Sequence, residues 1–363
     1  MKKAISVFLF LLFCVSLCQA QQLIGGRAAG MGGAGVAATD DLSAAYYNPA
    51  ALMRSGVIVT EVKVDLGASY SDLNSLSNAL SKATDPATFL LDNYSNNLNF
   101  SGSLNGLVGI NVRKIGLSVI PFLITTVNKP ANSLGGTMIA NGHYDAVLTL
   151  GTTFSVPYLP AALDVGANLK SLNGVTGGMT ITAPVGQTTV TGNQDTGTGS
   201  GTGFDLGVLT SFDVPMVSKV AVGAVMRNIA TSYTLKMTEQ SVTINQLTGK
   251  VTPGTTTTLP DQTVNIDSST AVGAYATIPG VGLGVAADIE MTKTDTNAHL
   301  GLEYPLMLGI IVLRAGVASG PNLSLTTVGA ELNLRVFKLG LVTVMDAKNT
   351  GLTNTVADIT IGL

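Results

Sequence analysis

The sequence predicts an all-β fold, a transmembrane antiparallel β-barrel of about 14 strands. Three observations carry that expectation. The chain is apolar for its length, with mean hydropathy +0.41 and only 11% charged residues, against roughly 25% in ordinary globular proteins. After residue 20, no apolar run approaches the roughly 20 residues of a membrane-spanning helix. Instead, apolar residues recur with a period of two. In ADITIGL, Ala357, Ile359, Ile361 and Leu363 alternate with Asp358, Thr360 and Gly362. The stretches VGLGVAADIE (281–290), TVGAELNLRV (327–336) and GFDLGVLTSF (203–212) repeat the pattern. Such alternation gives strands with one apolar face. The opposite faces are rich in glycine and small residues rather than Lys and Glu, which separates a barrel from a soluble sandwich.

Residues 1–20 read as a secretory signal: Lys2 and Lys3, an apolar run from Ala4 to Cys18, then the small-x-small exit Cys18-Gln19-Ala20. Both cysteines leave with it, so the mature chain offers no disulfide framework and no thiolate chemistry. Loss of Lys2 and Lys3 moves the formal charge from −3 to −5. With no basic block, nucleic acid is not an expected partner. The two histidines, His143 and His299, lie too far apart in sequence to found a His-based metal site.

Within residues 21–56, Gly30-x-Gly32-x-x-Gly35 has the spacing of a dinucleotide-binding turn. That turn needs a buried strand before it and a long helix after it. Only nine mature residues precede Gly30, and Asn48-Pro49 interrupts any helix downstream. The spacing follows from glycine content alone.

Strands are expected near 57–69, 99–111, 115–126, 142–156, 162–173, 203–212, 220–229, 270–278, 281–290, 298–304, 309–318, 325–335, 338–346 and 355–363. The links after even-numbered strands are short, and those after several odd-numbered ones are long. Short turns on one side and long polar loops on the other mark an outer-membrane barrel. Among the long links, 174–202 is low-complexity Thr/Gly, a flexible or hairpin-extended loop, and 251–263 is Thr-rich in the same way. The 71–98 link differs. Asp72 could cap a helix carrying Leu73, Leu76 and Leu80 on one side, either an amphipathic lid or a compact loop packed on itself.

Residues 27–54, RAAGMGGAGVAATDDLSAAYYNPAALMR, resemble the N-terminus of the FadL-type hydrophobic-compound transporters. The same start is similar to that of related TraF-like and PorV-like outer-membrane barrels. NAHLGLEYPL…VLRAGVASG at 297–320 is similar to their penultimate hairpins. In FadL-type members the N-terminal segment folds back inside the barrel as a hatch, which implies a hatch over 21–56 and a barrel over 57–363. The residues suit that job. Gly30, Gly32, Gly33 and Gly35 let backbone approach the wall closely. Asp40 and Asp41 can cap a short helix at 42–47 and meet lumen cations. Asn48 can cap again, with Pro49 at the first helical position. Two features depart from the family pattern: the chain ends in Leu363 rather than an aromatic residue, and it has no Trp and only nine Tyr.

The inward ionisable residues are expected to be Asp205, Arg227, Asp288, Glu290, His299, Glu303, Arg314, Glu331, Arg335 and Asp346. Glu303 with Arg314, and Glu331 with Arg335, read as pairs across the lumen that keep charge off lipid. No G-x-S-x-G, H-E-x-x-H or P-loop is present, so neither an enzyme nor a cofactor is expected. The resemblance implies passive uptake of small hydrophobic molecules, fatty-acid-like or aromatic, across the outer membrane, with Leu23 and Ile24 as candidate pocket residues. Membrane lipid and the barrel-assembly machinery are the further partners implied. The alternative is a non-transporting barrel that scaffolds conjugation or secretion machinery. Apolar residues continuous from loop to hatch would favour transport; a salt-bridged, filled lumen would favour the scaffold.

Overall fold

Each of the fourteen alternating runs becomes a strand. The computed structural model describes residues 23–55, 60–70, 95–112, 114–133, 135–155, 161–182, 188–215, 217–245, 248, 250–348 and 353–362. The leader at 1–20, most of the helix-like 71–98 link and the terminal Leu363 lie outside the described residues.

The strands are β1 (Thr60–Tyr70), β2 (Leu98–Val112), β3 (Ile115–Lys129), β4 (Gly136–Phe154), β5 (Leu163–Thr182), β6 (Thr189–Val214), β7 (Val217–Asn245), β8 (Val251–Thr258), β9 (Gln262–Asn265) and β10 (Ser269–Ile278). They continue as β11 (Leu283–Met291), β12 (Thr296–Leu306), β13 (Ile311–Ser319), β14 (Ser324–Asn333), β15 (Phe337–Asp346) and β16 (Thr353–Gly362). All pairings are antiparallel between neighbours. β7 pairs with β10, and β16 returns to β1 through ten partner pairs from Glu61↔Gly362 to Tyr70↔Thr353. The result is a closed ring of 14 strands, β1–β7 and β10–β16, with β8 and β9 added to the outer length of β7. Closure leaves no unpaired edge in the 14-strand ring itself, which a hydrocarbon surrounding requires.

The apolar parity of each strand points outward. Leu66, Leu117, Leu169, Leu206, Leu300, Val328, Leu341 and Ile359 are each more than 40% exposed. Their sequence neighbours, such as Asp65, Ser118, Asn168, Asp205, Thr327 and Asp358, are buried inside.

Of the two forms expected for the 174–202 link, its described residues take the hairpin-extended one: β5, β6 and β7 run for 20, 26 and 29 residues, well beyond the roughly 9–11 of a tilted membrane crossing. The ladder continues through the Thr/Gly stretch from Lys170↔Gly203 to Thr182↔Thr191. Threonine's branched side chain favours extended backbone, and pairs such as Thr196 with Thr238 (2.8 Å) face each other across the strands. β7 absorbs two extra residues at a bulge where Asn228 and Ala230 take φ of 56° and 47°.

Candidate functional site

Residues 23–55 fill the ring. They form a short helix α1 (Gly26–Gly30), a turn of helix α2 (Ala44–Tyr47) and a 3-10 helix at Pro49–Arg54. Asn48 caps the last of these, its Oδ1 accepting from the Ala50 N–H at 3.1 Å with Pro49 in the first turn. Most of the segment is irregular, so its backbone needs partners other than its own turns. The inner wall supplies them. Asp65 Oδ2 accepts from Gly25 N–H (2.7 Å), Asp288 Oδ2 from Gly35 and Val36 N–H (2.7 and 2.8 Å), and Glu61 Oε1 from Leu42 N–H (3.0 Å). The Thr327 hydroxyl accepts from Gly32 N–H and donates to Gly30 O, while His299 Nδ1 lies 2.8 Å from Gly32 O.

Glycines on both sides set the separation. Gly32 has φ +69°, and a Cβ there would sit 2.7 Å from Val317 backbone atoms; a Cβ on Gly316 would collide with Gly32 N. Main chain therefore lies directly on main chain. Gly30 packs against Arg314, Gly33 against His299 and Gly35 against the Tyr47 ring. On the wall, Gly166 lies under Pro49–Ala50, Gly207 against Asn48 and Gly301 against Met31. The glycine-rich face noted in the strands is the face that this segment covers.

Charges join segment to wall. Arg27 pairs with Asp40 (2.8 Å) and Glu303 (2.5 Å). Arg314 bridges Glu303 (3.2 Å) and Glu331 (3.0 Å). Lys63 pairs with Asp41 (2.8 Å) and Asp358 (3.0 Å), Lys170 with Asp205 (2.8 Å), and Arg227 with Glu290 (2.5 Å). Asp41 Oδ1 also accepts from Ser43 N–H, ahead of α2. Burial alone would raise the Asp41 carboxyl, but the Lys63 ammonium outweighs it and holds the group below the usual carboxylate range.

Arg335 is corrected by the structure: it is not a lumen charge. β14 ends at Asn333, and Arg335 is exposed in the following turn with φ 67°. The alternation in sequence ran past the strand end into Leu334–Val336, so parity assigned the wrong side. Glu331 takes Arg314 as its partner instead. Asp346 is half-buried at the opposite end of β15. Among the described residues, no group of three or more His, Cys, Asp or Glu side chains is placed to hold a metal ion.

The apolar surfaces converge elsewhere. Leu23 borders a cavity of about 40 Å³ of mixed lining, with Phe122, Leu325, Val344 and Val356 on its apolar side and Ser103, Asn105, Asp346, Asn354 and Thr355 on its polar side. Ile24 does not border it. It packs with Leu42 and Leu52 against Leu107 and Ile120 of the wall. From Phe122 an inward row continues through His143 (ring centroids 5.5 Å apart) to Tyr233 (6.1 Å). Tyr233 in turn packs with Leu172 and Leu235 in the tall part of the barrel.

The residue before Phe122 breaks the wall. β2 and β3 pair through Asn105↔Phe122 and again from Val108↔Val119, but not at Gly106–Leu107 opposite Ile120–Pro121. Proline has no N–H to give the ladder. β3 keeps its pairing with β4 through Pro121↔Tyr144, so the lapse opens on one side only. Leu107 and Ile120 back it from within. On the outer face, starting at the next rung and running across to β5, Val108, Leu117, Val119, Ala146, Leu148 and Leu169 line an open apolar hollow of about 620 Å³. Sequence reading missed this feature, although a proline in mid-strand was its signal.

No family model matches the chain, and no curated protein matches it by sequence. Solved structures do. The P. putida toluene transporter TodX superposes with a TM-score of 0.58 at 12% identity, covering 93% of this chain and 98% of that one. The fold is that of the FadL-type barrels. The Ralstonia pickettii toluene transporter TbuX (TM-score 0.55, 13% identity, 93% and 98% covered) and a Pseudomonas aeruginosa FadL homologue (0.51, 11%, 96% and 98%) share it.

Proposed function

We propose that the chain is a passive outer-membrane channel for small hydrophobic molecules, fatty-acid-like or aromatic, with residues 23–55 as its hatch. One observation carries the reading: apolar side chains back the β2–β3 lapse from within, and an apolar hollow begins on the outer face at the next rung, Val108↔Val119. Most of the described lumen below the aromatic row is ion-paired and filled, which offers an oily solute no through-path. The solute instead descends along Tyr233, His143 and Phe122 to the cavity beside Leu23. A small shift of the glycine-rich segment enlarges that cavity, since 40 Å³ holds only a few water molecules. Release then goes sideways past Pro121 into the membrane. The solved neighbours named for toluene transport support this reading, since they share the barrel architecture.

The ion-paired, filled lumen is the observation on the side of a second reading, a barrel that scaffolds other machinery and transports nothing. Native mass spectrometry of the mature protein in mild detergent separates the two. With a panel of medium-chain fatty acids and toluene-sized aromatics, transport requires a discrete bound species that Leu23→Asp abolishes. An empty barrel that binds no panel member moves the function to the scaffold.

A further inference from the structure

Three successive short turns on one rim are apolar where such turns are ordinarily polar. The β10–β11 turn exposes Val281, the β12–β13 turn exposes Met307, Leu308 and Ile310, and the β14–β15 turn exposes Leu334 and Val336. Their strands are neighbours in the ring, and the turns are tied to adjacent backbone by Asn333 N–H to Ile310 O (2.7 Å) and Gly362 N–H to Val336 O (2.8 Å). Met307 and Leu308 both take positive φ (49° and 59°), as does Arg335. Tight hairpin turns of that shape favour Asn and Gly, because a side chain at positive φ is strained. Here two large apolar side chains occupy the position, and Leu308 is wholly exposed (107%). By contrast, the ends of β6 and β7 on the same rim expose Asp213 and Lys219.

We infer that this sector of the rim, from β10 to β15, is an interfacial anchor covered by the head-group and upper-chain region of a phospholipid leaflet. The turns continue the outward apolar belt without a break, through Leu302 and Tyr304 on β12, Leu313 on β13, Leu332 on β14 and Leu339 on β15. Across residues 278–283, 304–311 and 332–337 the single charged side chain is Arg335, exposed and suited to lipid phosphate.

The inference rests on the reading of the chain as a membrane barrel, and one experiment separates the two. The protein has no Trp, so each single substitution reports one place. Leu308→Trp, Val336→Trp and the mid-belt reference Leu341→Trp are reconstituted in bilayers with or without dibrominated phosphatidylcholine, and folding is checked by heat-modifiable gel mobility. The expected result is blue-shifted emission at 308 and 336, quenched several-fold more by bromolipid than by acrylamide. If acrylamide wins at 308 and 336 while 341 is quenched by lipid, the rim faces water or a soluble partner and the inference fails. Shielding of 308 and 336 from both quenchers would put a second copy there and also overturn it. Failure at 341 would sink the membrane reading itself.

Discussion

Asp41 shows how a single side chain can fix the inner segment. Its carboxylate stands between the Ser43 N–H and the Lys63 ammonium, each at 2.8 Å. Because its folded-state pKa is depressed, its contribution is fully present above the ordinary carboxylate value near 4 and is lost as pH falls through the lower, folded value. Hydrogen exchange at Ser43, whose N–H the Asp41 carboxylate accepts, should therefore loosen as pH falls below about 4 once corrected for intrinsic rates. Asp41→Asn removes one partner of a buried pair and should weaken docking by about 3 kcal/mol. Unchanged protection in that variant would mean that Asp358 alone satisfies Lys63. The sequence showed Asp41 near a helix start; it could not show Lys63, because cross-barrel proximity follows from strand register.

At the scale of elements, β2 and β3 illustrate a local rule overridden by tertiary context. Pro121 sits in a strand held on its other side by β4, and the missing donor costs one or two rungs of a long ladder. Pro121→Val restores the N–H and supplies a good strand former. The regained hydrogen bond should stabilise the closed wall by about 1 kcal/mol, slowing solute release into lipid vesicles roughly fivefold. Release at the original rate would show that the solute leaves elsewhere. The fourteen strands themselves were legible, since strict alternation specifies both the strand and its faces. Strand ends were not: parity carried Arg335 into the lumen, and composition alone left the Thr/Gly hairpins undecided between flexible loop and extended sheet.

For the whole molecule, barrel and segment are separable in one direction. The ring closes through β1–β16 without any residue of 23–55, whereas the segment's backbone is held by Glu61, Asp65, Asp288 and Thr327 of the wall. A ring of 14 strands is wider than the roughly eight whose side chains fill the lumen, so the segment supplies the missing bulk. Deletion of residues 21–55 should leave a heat-modifiable barrel and open an ion-conducting pore in planar bilayers, as water replaces the segment around the lumen charges. A barrel that still blocks current would mean that the wall side chains seal it alone, and one that fails to fold would mean that the segment is part of the folding unit.

The sequence by itself determined the barrel, its strand count, the outward apolar faces and a compact glycine-rich start. These depend on periodicity and on residue size, which are local quantities. Only the tertiary structure decided which charges meet, that wall glycines and segment glycines lie backbone to backbone, and that the Pro121 lapse is backed by an apolar cluster inside and adjoins an apolar hollow on the outer face. Those are relations between residues up to about 300 positions apart, such as Lys63 with Asp358. They are set by shear and closure of the ring, which no single strand encodes.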